Sequence, residues 1–107
     1  MKVKIVTFVP LEFADKVRSA LGIAGAGKIG EYRDCSYSVK GTGRFLPSNN
    51  ANPQVGEKGR LNQVEEERIE VVCDREKAKQ VIVALKQAHP YEEVAFDIYP
   101  LLAEEEL

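Results

Sequence analysis

From Asp74 to Pro100 the chain reads DREKAKQVIVALKQAHPYEEVAFDIYP, a helix followed by a strand. Ala78, Val81, Ile82, Leu85 and Ala88 fall at helical spacing and make one apolar stripe, and Asp74 in front of it is a good N-cap residue. The helix is expected to stop at His89, because Pro90 pushes the residue before it out of the α region. Val94–Tyr99 then carries β-branched and aromatic residues, is closed by Pro100, and reads as a strand. Just upstream, Glu67–Cys73 alternates, with Ile69, Val71 and Cys73 inward and Arg68 and Glu70 outward. Strand, helix and strand in that order make half of a fold.

The N-terminal part supplies a similar half. Lys2–Val9 (KVKIVTFV) is rich in β-branched residues, and Pro10 suits a helix start, where its missing N–H costs nothing. Phe13, Val17, Ala20 and Leu21 follow at helical spacing, and Gly22 and Gly25 give stop signals. Glu31–Lys40 (EYRDCSYSVK) alternates and predicts a strand with Cys35, Tyr37 and Val39 on one face. The order β-α-β-β-α-β is the split βαβ, or ferredoxin-like, α+β arrangement, an antiparallel sheet with two helices on one face. The reading is one domain over 1–107, with a long loop over 41–62 and a frayed acidic tail over 103–107. In the first strand Val3 and Ile5 make one face apolar and Val6 and Phe8 the other. A partner subunit is therefore expected to cover the face that the helices leave open, which makes a homo-oligomer.

Composition narrows the function. The 107 residues are 44% hydrophobic and 30% charged with a net charge of -2, ordinary for a globular protein and without the basic footprint of a nucleic-acid binder. No apolar run approaches the ~20 residues that span a bilayer, and Met1–Pro10 lacks the pattern of a secretion signal. Two separated cysteines and one histidine cannot make a four-ligand zinc site or a disulfide framework. The expected compartment is the cytoplasm, with both thiols reduced and no nucleic-acid or membrane partner.

Four motifs carry chemistry. Gly25-Ala26-Gly27-Lys28-Ile29-Gly30 matches G-x-G-x-x-G, but it follows a helix and precedes a strand, the reverse of a dinucleotide-binding loop, so it reads as a turn. His89-Pro90-Tyr91-Glu92-Glu93 offers an imidazole and two carboxylates for a metal ion or proton transfer, with His89 and Glu92 as candidate metal ligands. The same string also reads as a helix end in which His89 meets the last carbonyls and Tyr91 packs. Gly41-Thr42-Gly43-Arg44-Phe45-Leu46-Pro47 opens the long loop, its glycines admitting a ligand, Arg44 pairing with an anion and Phe45 stacking or entering a neighbour. An ordinary turn with an oligomer contact at Phe45 explains it equally well. Cys35 and Cys73 are expected on neighbouring strands, inward, as packing residues rather than nucleophiles. Glu65-Glu66-Glu67 reads as a solvated strand entry.

Several segments taken together resemble a known family. They are Gly27-Lys28-Ile29-Gly30-Glu31-Tyr32, Asp34-Cys35-Ser36-Tyr37, Gly41 to Pro47, then Pro53, Gly56, Gly59 and Glu66, and finally Ala88-His89-Pro90-Tyr91-Glu92-Glu93-Val94-Ala95-Phe96-Asp97. Over nearly its whole length the chain resembles the PII/CutA-like domain inserted in YqfO-type members of the NGG-interacting-factor-three family, and it looks like stand-alone versions of that insert. CutA proteins are similar more weakly, through His89-Pro90-Tyr91-Glu92 before the last strand. The resemblance implies a ferredoxin-like fold and, by analogy with PII and CutA, a trimer built by joining sheets. It does not carry over the dinuclear metal centre of the long members, which belongs to a flanking domain, nor a hydrolase or cyclohydrolase activity, nor the ATP signature of PII proteins.

The resulting expectation is a small, non-enzymatic PII/CutA-like binding or regulatory module. Its ligand candidates are Gly41, Gly43, Arg44, Phe45, His89, Tyr91, Glu92 and Glu93, gathered at an inter-subunit cleft for a metal ion, an anion or a small molecule. The cofactor is left open, with a divalent metal ion as the candidate. A second reading is a subunit that docks on a partner protein through the open sheet face or Phe45. The least favoured is an enzyme using His89 with Glu92 or Cys35, since no second histidine or triad is present.

Overall fold

In the computed structural model, which describes residues 1–107, the two halves interleave into one four-stranded antiparallel sheet. The elements are β1 (Lys2–Pro10), α1 (Ala14–Ile23), β2 (Tyr37–Phe45), β3 (Asn62–Asp74), α2 (Ala78–Ala88) and β4 (Phe96–Pro100), with the strands in the order β2-β3-β1-β4. β1 is flanked by β3 and β4, the interior position that suits a strand apolar on both faces. The ferredoxin-like α+β fold expected from the sequence is the fold observed.

The core lies between the sheet and the helices. Register pairs Val3 with Cys73, Ile5 with Val71 and Thr7 with Ile69, so these residues share the helix-covered face. Val17 and Leu21 of α1 and Val81 and Leu85 of α2 are fully buried in the same cluster. Burying each such side chain contributes on the order of 2 kcal/mol. Thr7 is the polar member of this layer, and its hydroxyl donates to the Ala95 carbonyl at 2.9 Å, tying the segment before β4 to β1.

The helix ends follow local chemistry, with one departure. α2 stops at His89, whose φ of −80° and ψ of 140° are extended, as Pro90 requires. Asp74 makes no side-chain cap; it pairs with Lys2 Nζ at 2.7 Å, and a 3-10 turn at Arg75–Lys77 begins the helix instead. The link after α1 turns through Gly25, Gly27 and Gly30, all with positive φ. Gly27 N–H donates to the Val72 carbonyl at 2.8 Å, and the Gly27 carbonyl accepts from Cys35 N–H at 2.8 Å. The G-x-G-x-x-G string is thus a turn pinned to the end of β3.

Several expected boundaries move. β2 runs over Tyr37–Phe45 rather than Glu31–Lys40, so Gly41 and Gly43 lie inside a strand and the loop contracts to residues 46–61. β2 is an edge strand held by β3 on one side, and ladder pairing continues through both glycines, Gly41 with Glu66 and Gly43 with Val64. Cys35 falls outside the sheet, half-buried in the preceding turn, whereas Cys73 is buried in β3 as expected. β3 starts at Asn62, which puts Glu65–Glu67 within the strand rather than at its entry. Glu67 pairs with Arg18 of α1. β4 begins at Phe96 instead of Val94, and Glu104–Glu106 forms a 3-10 turn where fraying was expected.

The open face is part ionic and part apolar. Glu70 accepts Lys4 Nζ at 3.2 Å and Arg68 Nε at 3.0 Å, and the Arg68 guanidinium stands 5.9 Å from the centre of the Phe8 ring. Both cations hold the Glu70 carboxyl below its ordinary range, with the Lys4 hydrogen bond the larger effect. Around this trio Tyr37, Val39 and Tyr99 remain exposed.

Candidate functional site

Alternate residues of a strand share a face, so Tyr37, Val39, Gly41, Gly43 and Phe45 of β2 look out on the open side of the sheet. The register sets Arg68 beside Val39 and Glu66 beside Gly41. The two glycines leave a low floor. Space above Gly43 is taken by the Glu66 carboxylate: a Cβ on Gly43 would stand 2.0 Å from Oε1. Glu66 is only 8% exposed, and the Tyr91 hydroxyl donates to its Oε2 at 2.6 Å.

Two segments raise walls on this floor. The loop over 46–61 is closed on itself by Gly59 N–H donating to the Pro47 carbonyl at 2.8 Å and by the Asn62 amide, which donates to the Glu57 and Arg60 carbonyls at 2.9 Å. Asn52 N–H donates to Glu92 Oε1 at 2.7 Å, which joins the loop to residues 91–95. Between them lies a cleft of about 700 Å³ with Phe8, Phe45, Glu66, Arg68 and Tyr91 on its surface. The Phe45 and Tyr91 rings are tilted, their centres 6.0 Å apart.

His89 lies behind Tyr91. It is 6% exposed, its Nε2 is 2.6 Å from the Phe8 carbonyl, and its Nδ1 accepts the Tyr91 N–H at 3.1 Å. These partners assign the proton to Nε2 and use both ring nitrogens. Burial holds the imidazole below its ordinary pKa, against the smaller opposing pulls of the Phe8 carbonyl and the Glu66 charge. Burial also pushes the Tyr91 hydroxyl up, with Glu66 adding to the effect, so it stays a donor. The neutral His89 ring fixes the chain at Tyr91, and Tyr91 fixes Glu66.

Of the residues singled out from the sequence, Gly41, Gly43, Phe45, Tyr91, Glu92 and Glu93 come together around the cleft. Arg44 borders it too, yet it alternates to the opposite side of β2 from Gly43 and Phe45. His89 does not line it. His89 and Glu92, expected to share a metal ion, serve separate tasks here, and no group of three or more His, Cys, Asp or Glu side chains is placed to hold one. The residues missed were Phe8, Arg68 and, above all, Glu66 as a buried carboxylate. Its one signal was a place in the series of family-like segments.

No family model matches the chain. Curated relatives do: it is 50% identical over 98 residues to the GTP cyclohydrolase 1 type 2 homolog of Bacillus subtilis, covering 92% of this chain and 26% of that protein. The Halalkalibacterium halodurans homolog is 48% identical over 103 residues, 96% of this chain and 28% of that protein. A solved Bacillus cereus protein related to NIF3 superposes with a TM-score of 0.81 at 49% identity, covering 94% of this chain and 25% of that one. The chain corresponds to a segment of NIF3-related proteins, and its fold is CutA-like. It spans about a quarter of the length of the curated relatives it matches. The CutA part of the description rests on structures such as the periplasmic divalent cation tolerance protein CutA of Archaeoglobus fulgidus, with a TM-score of 0.69 over 100% of this chain and 92% of that one. At 20% identity that likeness shows the shared fold of this CutA-like domain and nothing of its ligand.

Proposed function

We propose that this CutA-like domain is a non-enzymatic binding or regulatory module that assembles as a trimer and takes a small ligand in the open-face cleft. The observation that carries the reading is the cleft itself: a glycine floor, aromatic walls and one buried carboxylate, concave enough for a small molecule. Binding suits these groups better than catalysis. His89 has no free nitrogen, burial raises the Cys73 thiol pKa, and Cys35 lies in the turn beyond α1, away from the cleft. The cyclohydrolase wording belongs to longer relatives, and no such activity is carried to this chain.

Support for assembly comes from the unpaired outer edges of β2 and β4 and from exposed Tyr37, Val39 and Tyr99 on the open face. A neighbour on that face would roof the cleft and make it inter-subunit. The same exposed strip favours a second reading, in which a partner protein docks there. We take the cytoplasm as the compartment, which the two free cysteines favour. No helix is long and apolar enough to cross a membrane.

Gly41→Leu tests the cleft. A Cβ at Gly41 would meet nothing within 4 Å, so the variant should fold normally while leucine fills the cleft floor. In a thermal-shift screen of metabolites, compounds that raise the melting temperature of the wild type should leave Gly41→Leu unmoved. Hits that act equally on both proteins would put binding elsewhere.

A further inference from the structure

We propose that the cleft selects a ligand bearing an ammonium or guanidinium group on a short apolar stem, with Glu66 as its counter-charge. This rests on the cleft being a ligand site and goes on to name the chemistry of the ligand.

Glu66 is the first reason. Its side chain is withdrawn from water, yet only one of its oxygens is engaged, by the Tyr91 hydroxyl. No hydrogen bond or ion pair from within the chain reaches Oε1, and this oxygen is not sealed in the core, where it would count as a buried unpaired atom. It lies over Gly43, on the cleft side, where a side chain of any other residue would displace it. A carboxylate moved out of water without a cationic partner is costly, so the vacant oxygen invites a donor that carries positive charge.

The surroundings agree in sign. Arg68 is a cation of the same face, and its Nε is paired with Glu70 while its guanidinium stands over the Phe8 ring. Lys40 and Arg44 border the cleft, but their side chains alternate to the far side of β2. Glu92 and Glu93 stand at the rim and add negative charge. Phe45 and Tyr91 bring two aromatic rings to the cleft surface, and such rings attract cations through their quadrupole and accommodate an apolar stem. A bare metal ion fits poorly, since a hard cation wants six or more oxygen ligands by general coordination chemistry, and these walls are aromatic. An anion would meet Glu66, Glu92 and Glu93, and the one cation on the cleft side, Arg68, already shares its charge with Glu70.

An NMR titration of the full chain with agmatine and benzylamine tests this, with benzyl alcohol and benzoate as neutral and anionic counterparts. The two cations should shift the amides of Gly41, Gly43, Phe45 and Glu66. Glu66→Gln should weaken both about ten- to a hundredfold, the size of a lost charge-assisted hydrogen bond. Its melting temperature should hold, because glutamine still accepts the Tyr91 hydroxyl. Should that variant fold poorly, Gly41→Leu must abolish the same shifts by steric means. Benzoate or benzyl alcohol shifting those amides as strongly as benzylamine would overturn the charge assignment and leave the cleft standing as a site. If no probe shifted them, the cation and the cleft would fall together.

Discussion

Replacing His89 with alanine should lower the stability of the domain by about 3 kcal/mol, or roughly 15 °C in Tm for a chain of this size. The substitution opens a hole at a position 6% exposed. It also strips a partner from the Phe8 carbonyl and from the Tyr91 N–H, which are 2.6 Å and 3.1 Å from the ring nitrogens. Losing that anchor should free Tyr91 from Glu66, so the variant should bind cleft ligands weakly even at temperatures where it stays folded. The wild type carries a matching pH signature. His89 is the only histidine, and its folded pKa lies below the ordinary value. Below about pH 6.5 the unfolded chain takes up a proton that the folded chain refuses, so the unfolded state binds more protons there. The stability this residue contributes is full above that pH and is lost as pH falls towards the lower folded value. Urea denaturation at pH 7.5 and pH 6.0 should show the midpoint falling in the wild type and holding in His89→Gln. A flat wild-type midpoint, or a loss under about 1 kcal/mol in His89→Ala, would mean that the ring is not buried as described.

Gly27→Val should cost a similar amount, about 3 kcal/mol. The backbone there has φ of 85°, which a β-branched residue adopts only with strain of about 1–3 kcal/mol. A Cβ would also stand 2.7 Å from the Cys35 carbonyl oxygen and 2.9 Å from its nitrogen, both backbone atoms that cannot swing aside. Relief requires breaking the hydrogen bonds that pin this turn to Val72 and Cys35. Chemical denaturation of Gly27→Val beside Gly41→Leu makes the comparison internal, since the second glycine has open space above it. Equal stability of the two variants would contradict the turn geometry.

The layered part of the fold is legible because its signals are local and repeated. The stripe from Ala78 to Ala88, the stop before Pro90 and the alternation of Ile69, Val71 and Cys73 each state a periodicity that packing then uses. The site is less legible because it depends on register. Gly41 and Gly43 carry the punctuation of a loop, yet an edge strand tolerates them, and their missing side chains become the floor on which Glu66 lies. A run of three glutamates looks solvated by composition. Pairing with β1 and β2 sends Glu66 to the open face under Tyr91 and Glu67 to the helix face against Arg18. Asp74 has the chemistry of a cap, but Lys2 across the ladder competes for it and wins. His89 was conspicuous as the lone histidine, and what no local signal revealed is that both its nitrogens point inward.

Native mass spectrometry of protein released gently from cells tests the central claim most directly. The expected spectrum is a trimer of the 11.9 kDa chain carrying a small additional mass that Gly41→Leu does not retain. A bare monomer, or an adduct held equally by both proteins, would contradict a ligand site in the open-face cleft of an assembled module.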